Sequence, residues 1–330
     1  MLDKKQKELV NELDGRICIV ASPGSGKTAV VTSRIVKLLE SGVSENNLLV
    51  ITFTNKAAKE HVFRVETSLG RKITATWMGT FHSICTRILR QYRVGRTDFS
   101  IYDDTDSIGI LKAICDSPLD VYNYIQLYKR GSSPIDKEKH QYYEQYNKIL
   151  KNNNALDFED LLTETVELLR SDTSLTDHLS AGFKYVHVDE FQDSCNKDLE
   201  LIELLGSTHN NICVVGDRNQ SIYGFRGANP AVFDRFIENG GVVYALDTNY
   251  RSSRKIIESS NSLISSNGKI CSFISKPKKS TEGKAVFQEY ETDTEEAWDI
   301  SRKIRQEYKD KKIGILYRTA RMAIPLELAL

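Results

Sequence analysis

The sequence feature that most constrains the fold is ASPGSGKTAV at residues 21–30. The apolar run RICIVA precedes it, and GKTAVVTSRIVKLLE follows with apolar residues at helical spacing. A glycine-rich loop between a strand and a helix can cradle a phosphate, because its backbone N–H groups face the anion and the helix dipole attracts it. An ordinary strand-to-helix turn is the alternative. The flanking strand and helix favour a nucleotide site.

The predicted loop consists of Ala21, Ser22, Pro23, Gly24, Ser25, Gly26, Lys27 and Thr28. Ala21 stands where this motif usually has its first glycine. In such loops the lysine reaches the β- and γ-phosphates, and the hydroxyl that follows it binds Mg²⁺. We therefore predict that Lys27 contacts nucleotide phosphates and that Thr28 is a Mg²⁺ ligand.

Apolar runs alternate with helical stretches over much of the chain. The runs are RICIVA, NLLVITFT, KITATWMGT, YVHVDEF, ICVVGD and VVYALDTNYR. Strands that alternate with helices predict an α/β fold with a parallel sheet covered by helices on both faces. Residues 92–182 contain no comparable run, and ALDFEDLLTETVELL within them has a helical pattern. We therefore predict a helical insertion there.

A second α/β unit is predicted near the end of the sequence. The helical stretch RKIIESSNSLISSN leads to KAVFQEY, an acidic helix and KKIGILYR, and the two apolar runs among these are expected to be strands. The predicted organisation is thus an α/β domain at 1–91 and 183–258, interrupted by a helical arm at 92–182. Residues 259–330 are expected to form an incomplete start of a second domain.

Two neighbouring acids end one of the predicted strands. In YVHVDEFQD, Asp189 and Glu190 follow a buried apolar run. A carboxylate at a strand end beside a phosphate loop is the usual Mg²⁺ ligand of the Walker-B motif. We predict that Asp189 is the metal-side group and that Glu190 accepts the proton of an attacking water. Paired acids on a solvated surface are the alternative.

The charge balance and the cysteines limit the possible functions. Lys and Arg number 45, as do Asp and Glu, so the net charge is zero and any nucleic-acid site must be a local groove. The six cysteines include no C-x-x-C pair, which argues against a zinc or redox site. The sequence has neither a signal-peptide core nor an apolar run of membrane-spanning length. We expect a soluble cytoplasmic protein without a membrane partner.

Further motifs make a family resemblance specific. The segments ITFTNKAAKE, GTFHSICTRILR, LDFEDLL, DEFQD, VGDRNQSIYGFRGANP and NYRSS occur in this order. In these motifs and their order, the chain resembles the UvrD/Rep/PcrA helicases of superfamily 1. The resemblance implies RecA-like domains, ATP and Mg²⁺ as cofactors, and 3′-to-5′ movement on single-stranded DNA and at duplex junctions.

The resemblance also implies roles for residues around the nucleotide. Gln6 matches the glutamine that reads adenine, and Tyr250 matches the aromatic residue that packs on the base. Gln220 matches the glutamine that senses the γ-phosphate, and Arg251 matches an arginine that contacts it. A solvated helix position for Gln6 and a surface ion pair for Arg251 are the alternatives.

DNA contacts are implied for eight residues, which are Phe53, Asn55, Thr80, Phe81, His82, Tyr223, Phe225 and Arg226. Aromatic side chains beside an arginine suit single strands, because every base offers a face for stacking. Each aromatic residue alone is more often part of a core, and His82 could instead have a helix-capping or core role. The loop sequence YGFRG has no helical or strand periodicity, which favours DNA contact for Phe225 and Arg226.

The sequence departs from the family pattern at three places. Arg218 and Asn219 occupy positions that are commonly acidic, and Asp198 occupies one that is commonly glutamine. A later Lys-Gly-Leu-Glu-type motif and a second γ-phosphate arginine have no counterpart in the 330 residues. The alternative function is therefore a truncated or split half-motor that binds ATP and single-stranded DNA but needs a missing C-terminal segment or a partner chain to unwind duplexes. A kinase would leave the helicase motifs unexplained, and for a nuclease the sequence offers no candidate metal cluster beyond Asp189 and Glu190.

Overall fold

The computed structural model describes residues 2–74, 77–95, 97–131, 134–266 and 274–330. The chain divides into two compact units, Met1–Glu282 and Gly283–Leu330. Two predicted elements include residues outside these ranges. The KITATWMGT strand includes residues 75–76, and the RKIIESSNSLISSN helix includes residue 267. The domain boundaries proposed from the sequence stay predictions. Within the described ranges, no helix is both long and apolar enough to cross a membrane.

The described residues contain ten strands. They are β1 (Arg16–Ala21), β2 (Leu48–Thr52), β3 (Trp77–Thr80), β4 (Ser100–Tyr102), β5 (Ala155–Asp157), β6 (Tyr185–Val188), β7 (Ile212–Gly216), β8 (Val242–Leu246), β9 (Thr248–Asn249) and β10 (Lys276–Pro277).

Fourteen α-helices accompany the strands in the described ranges. They are α1 (Lys4–Asn11), α2 (Lys27–Glu40), α3 (Asn55–Leu69), α4 (Phe81–Tyr92), α5 (Asp104–Lys112), α6 (Pro118–Lys129), α7 (Lys137–Asn152), α8 (Phe158–Ser171), α9 (Thr173–Gly182), α10 (Asn196–Leu205), α11 (Val232–Glu238), α12 (Arg254–Ser266), α13 (Asp293–Glu307) and α14 (Ala323–Ala329).

Six strands form one parallel sheet in the order β3-β2-β6-β7-β1-β8. β2 and β7 are buried along their whole length, as expected for strands covered on both faces. One hydrophobic core, which includes Ile19 and Ile35, lies between the sheet and α2, and a second includes Val188 and Phe233. The predicted α/β class with a central parallel sheet is confirmed. The phosphate loop follows β1, next to β7 in the sheet.

The described part of the predicted helical insertion contains five helices, but it also contains a short parallel pair, β4 with β5. The sequence predicts a helix from Ala155 onward, and this prediction is wrong for Ala155–Asp157. These three residues are buried and extended, and the Asp157 side chain accepts a hydrogen bond from the backbone N–H of Asp160. An N-cap residue has non-helical dihedral angles, so the helix begins only at Phe158.

The unit Gly283–Leu330 contains the predicted acidic helix, which is α13. The two strands expected at 284–290 and 311–318 are not formed, so that prediction is wrong for this unit. A strand needs a neighbour for its backbone N–H and C=O groups, and none pairs with these segments within 283–330. Their apolar side chains remain exposed, with Phe287 at 87% and Leu316 at 98%.

Candidate functional site

Two glycines shape the phosphate loop. Gly24 and Gly26 have φ angles of 69° and 85°, which lie in the left-handed region that favours glycine. A Cβ on Gly24 would lie 2.7 Å from Asn249 Oδ1, and one on Gly26 would lie 2.7 Å from Gln6 Nε2. Gly26 is the N-cap of α2 and makes no side-chain capping bond. The first N–H groups of α2 are therefore suited to an anion.

The loop is held by residues from both sides. Gln6 Nε2 donates to Ser25 O over 2.8 Å, and Gln6 Oε1 accepts from the backbone N–H of Asp3 over 2.9 Å. Gln6 is only 5% exposed, so the alternative of a solvated helix position is wrong. On the other side, Asn249 Nδ2 donates to Pro23 O over 2.7 Å. The amide of Gln6 therefore lies directly beneath the loop.

Tyr250 also borders the loop. Its backbone N–H donates to Gly24 O over 2.9 Å, and its hydroxyl donates to the carboxylate of Asp3. This hydrogen bond raises the pKa of Tyr250 to about 12. The ring of the expected base-packing residue is thus anchored at its hydroxyl to the N-cap of α1, the helix that carries Gln6.

A cavity of about 240 Å³ opens in front of the loop. Its walls combine loop residues with side chains from four other segments, and they are Pro23, Gly24, Gly26, Lys27, Thr28, Ala29, Arg64, Glu190, Gln220 and Arg251. Lys27 Nζ lies 3.7 Å from Glu190 Oε2. The structure thus brings the predicted phosphate ligands and the predicted general base together. Arg64 was not predicted from the sequence.

The two neighbouring acids have different surroundings. Asp189 is 5% exposed, its Oδ2 lies 2.9 Å from His61 Nε2, and its Oδ1 accepts from the N–H of Glu190 over 3.0 Å. Glu190 has a φ of 54°, which is unusual for a residue with a side chain. Such strain costs about 1–3 kcal/mol and is typical of functional sites. Glu190 lines the cavity, whereas Asp189 stays buried against α3.

A chain of hydrogen bonds joins Glu190 to Gln220. Gln192 Nε2 donates to Glu190 Oε2 over 2.8 Å, and Gln192 Oε1 accepts from the N–H of Asp217 over 2.9 Å. Asp217 Oδ2 in turn accepts from Gln220 Nε2 over 2.7 Å. The candidate general base and the candidate γ-phosphate sensor are therefore connected through two buried side chains, Gln192 and Asp217.

Asp193 follows Gln192 in the chain and is buried, with 9% of its surface exposed. Burial raises the pKa of its carboxyl to about 6, the charge of Glu190 adds to the increase, and Lys27 opposes it. Among the described residues, Asp193 Oδ1 has no hydrogen-bond partner. The effect of Lys27 on the pKa of Asp193 is therefore smaller than the effect of burial.

The residues present fit a magnesium–nucleotide complex. Thr28 lines the cavity, and Asp189 follows β6 in the sheet. One hydroxyl and one carboxylate suit Mg²⁺, which is usually held by few protein ligands together with water and substrate phosphates. Within the described ranges, the buried Ser25 hydroxyl of the loop has no hydrogen-bond partner. An oxygen-rich ligand above the loop could supply one.

The predicted DNA-contacting aromatics form a cluster. The rings of Phe53 and Tyr223 have centroids 4.9 Å apart, and those of Tyr223 and Phe225 are 6.0 Å apart. The Arg226 guanidinium lies 5.8 Å from the ring centroid of Tyr223 and 5.9 Å from that of Phe225. Phe225 is 64% exposed, at the turn Gly224–Arg226. Rings and a cation at an exposed turn can stack on successive bases.

The other predicted DNA residues lie at two helix N-termini. Asn55 is exposed in the first turn of α3, and Thr80 caps α4 by accepting from the N–H of Ser83. His82 is half-buried, and its ring lies 5.5 Å from that of Phe158. Phe81 is buried in the hydrophobic core, so the prediction that it contacts DNA is wrong.

Two protein-family models match this chain. The model of the UvrD/REP helicase N-terminal domain matches residues 2–130 and 119–240. The model of the UvrD-like helicase C-terminal domain matches residues 244–330. The chain belongs to the UvrD/Rep helicase family. The resemblance found in the sequence motifs is therefore confirmed.

Individual members of the UvrD/Rep family are similar along the whole chain. The ATP-dependent DNA helicase PcrA of Staphylococcus aureus strain Mu50 is 35% identical over 362 aligned positions, which cover 99% of this chain and 49% of that protein. PcrA of Staphylococcus epidermidis strain ATCC 12228 has the same identity and coverage. The chain spans about half the length of the curated relatives it matches.

Proposed function

We propose that this chain is the ATP-binding part of a DNA helicase that couples Mg-ATP hydrolysis to 3′-to-5′ movement on single-stranded DNA. The observation that carries the proposal is the cavity in which Lys27, Thr28, Glu190, Gln220 and Arg251 meet beside two left-handed glycines. Membership of the UvrD/Rep family and the aromatic cluster around the exposed Phe225 support the DNA-binding part of the proposal. We further propose a cytoplasmic location and action at duplex junctions.

In this proposal each predicted phosphate, metal or catalytic residue has one task. The loop N–H groups and Lys27 bind the phosphates of ATP, and Gln220 and Arg251 contact the γ-phosphate. Bound Mg²⁺, held by Thr28 and Asp189, would neutralise phosphate charge. Glu190 accepts the proton of the attacking water. The hydrogen-bonded Gln192 and Asp217 hold Glu190 and Gln220 at a fixed separation.

DNA would bind through stacking on Phe53, Tyr223 and Phe225, with Arg226 adding a cation. Such stacking contributes about 1–3 kcal/mol per base and tolerates any sequence. Asn55, Thr80 and His82 are proposed to contact the strand from the starts of α3 and α4. Phe81 supports them from the core.

The test is a comparison of Lys27→Ala with the parent chain, with a fluorescent ATP analogue as the probe. Removing the ammonium from the cavity should weaken analogue binding by at least about tenfold, while circular dichroism stays unchanged. Lys37→Ala is the matched control, since this lysine lies on the same helix and contacts the exposed Asn11 side chain. Equal affinity of Lys27→Ala and the parent would overturn the nucleotide site.

A second assay separates the helicase from the half-motor. ATPase rates are measured with and without a short single-stranded oligonucleotide, and unwinding with a 3′-tailed duplex. Both are repeated with a C-terminal helicase half supplied in trans. DNA-stimulated hydrolysis supports the coupled motor. Binding of both ligands with unwinding only in trans would favour the half-motor.

A further inference from the structure

Arg130 links the helical arm to the candidate DNA loop. It is the C-cap residue of α6, and its side chain is 18% exposed. The guanidinium donates to the backbone carbonyl of Arg226 and also to the carboxylate of Glu159. The guanidinium therefore contacts two segments that are distant in the sequence.

The carboxylate that holds this guanidinium is itself fixed. Glu159 lies in the first turn of α8, and its side chain is 3% exposed. Lys129, the residue before Arg130, is also paired with acids near Glu159. Its Nζ lies 2.7 Å from Asp157 Oδ2 and 2.6 Å from Asp160 Oδ1. Two consecutive cations thus attach the end of α6 to the start of α8. Arg130 therefore approaches the loop from a rigid base.

The loop segment that Arg130 contacts carries the exposed DNA candidates. Arg226 ends the turn Gly224–Arg226, and its N–H donates to Tyr223 O over 2.8 Å. Farther along, the N–H of Asn229 donates to Ser194 O over 3.0 Å. The Arg130 bond restrains the turn from the side of the helical arm. It involves the carbonyl of Arg226 and leaves the side chain of Arg226 beside the two rings.

We propose that Arg130 is a positioning residue for single-stranded DNA binding. Held by Glu159, it fixes the backbone of the turn Gly224–Arg226 so that Phe225 and Arg226 are presented to the strand. A loop fixed before binding loses less conformational entropy when the strand arrives, which raises affinity without any direct contact. This inference rests on the proposed function, because it assumes that the loop binds DNA.

The first measurement needs no DNA. Arg130→Gln should accelerate hydrogen exchange at the amides of Arg226, Gly227 and Ala228, whose hydrogen bonds close the turn. Exchange in the central sheet should stay the same. Arg93→Gln is the matched control, because Arg93 pairs at 2.6 Å with Glu164 on the same helix α8. Unchanged exchange in the loop of Arg130→Gln would overturn the inference whatever the chain binds.

The second measurement is fluorescence anisotropy with a short oligonucleotide. Arg130→Gln should weaken DNA binding by about tenfold and leave affinity for the ATP analogue unchanged. In a Phe225→Ala background the same substitution should have a much smaller effect, because both changes act through one loop. Glu159→Gln, which keeps the shape and removes the charge, should give a smaller loss and replaces Arg130→Gln if that variant does not fold.

Salt dependence distinguishes positioning from direct contact. Arg226→Gln should lower the slope of log affinity against log salt by about 0.7, the value for one phosphate contact on a single strand. Arg130→Gln should leave the slope unchanged. A reduced slope, or losses that add fully to those of Phe225→Ala, would mean that Arg130 touches DNA and would overturn the inference. A parent chain that binds no DNA would overturn the proposed function and this inference together.

Discussion

Asp189 and Glu190 are adjacent in sequence, and the structure gives them different partners. Asp189 is hydrogen-bonded to His61, whereas Glu190 faces Lys27 across the cavity. In the proposed mechanism, Glu190→Gln should retain Mg-ATP and lose hydrolysis by ~10²–10⁴-fold, as expected for a lost general base. Asp189→Asn should instead raise the Mg²⁺ concentration needed for half-maximal hydrolysis. Single-turnover hydrolysis at several Mg²⁺ concentrations measures both effects.

The control for these two variants is Glu203→Gln. Glu203 pairs with Arg16 at 2.8 Å, at the opposite end of β1 from the phosphate loop. It should hydrolyse ATP at the parent rate. If Glu190→Gln and Asp189→Asn also do so, the assignment of both acids is wrong.

Asp193 gives a prediction about pH. Burial raises the pKa of its carboxyl to about 6, above its ordinary value of 3.8, so the folded state favours the protonated acid. Its contribution to folding stability is therefore complete below pH 3.8 and is lost as the pH rises through about 6. Relative to the parent, Asp193→Asn should gain about 1–3 kcal/mol of unfolding free energy between pH 4 and pH 7. Urea unfolding at these two pH values checks it, and a difference that does not depend on pH would contradict it.

Local pattern was enough to find some site residues and not others. Lys27, Asp189 and Glu190 follow buried strands, so their convergence was predictable. Asp217 also follows a buried strand, and the same rule would have found it. His61 lies on α3 and reaches the site only because β2 and β6 are neighbours, which a single sequence does not reveal.

Phe81 illustrates a misapplied pattern. With Ile84, Cys85 and Ile88 it forms an apolar stripe at helical spacing, and all four residues are buried. The spacing predicts a core position, whereas the family resemblance implies a DNA contact. The exposed Phe225 belongs to no such stripe.

At the scale of elements, α1 depends on one buried cation. Arg34 of α2 is fully buried and donates to the backbone carbonyls of Leu9, Glu12 and Leu13. These groups lie at the C-terminal end of α1, where carbonyls have no partner within the helix. Arg34→Met should destabilise the protein by about 2–4 kcal/mol, because it leaves these carbonyls unsatisfied. Amide exchange in α1 should accelerate.

This variant also tests whether α1 matters for the nucleotide site, because α1 carries Gln6 beneath the loop. We expect weaker binding of the ATP analogue. The control is Lys37→Gln, one turn further along α2, where a half-buried lysine donates to the Asn11 side chain and not to a backbone carbonyl. The role given to Arg34 would be contradicted if the amides of α1 exchanged faster than in the parent in the control. It would also be contradicted if they exchanged at the parent rate in Arg34→Met.

The elements predicted best were those whose pattern reports burial directly. All six strands of the central sheet lie within the apolar runs of the sequence. Their parallel pairing is expected from the alternation of strands with helices. β4 and β5 are three residues long, too short for a period to be visible. The apolar segments at 284–290 and 311–318 have strand-like composition, but strand formation depends on a neighbour and not on composition alone.

At the scale of the whole molecule, the two compact units differ in how much apolar surface they bury. The unit Met1–Glu282 contains three hydrophobic clusters. In the unit Gly283–Leu330, the buried residues are Ala297, Ser301, Ala323 and Ala329. Small side chains contribute little hydrophobic free energy, at about 25 cal/mol per Å² of buried apolar surface. The second unit should therefore be the first to open.

Native-state hydrogen exchange tests this order of opening. Amides of α13 should exchange with opening free energies of roughly 1–3 kcal/mol, well below those of β6 and β7, which lie in the centre of the sheet. Ser301→Ala removes the hydrogen bond from Ser301 Oγ to Ala329 O at 2.5 Å, so it should accelerate exchange in α13 and α14 without affecting β7. Because this substitution does not alter the sheet, the unchanged exchange of β7 serves as the internal control. Protection in α13 equal to that in β7 would show that the second unit is as stable as the first, and that its exposed apolar segments do not weaken it.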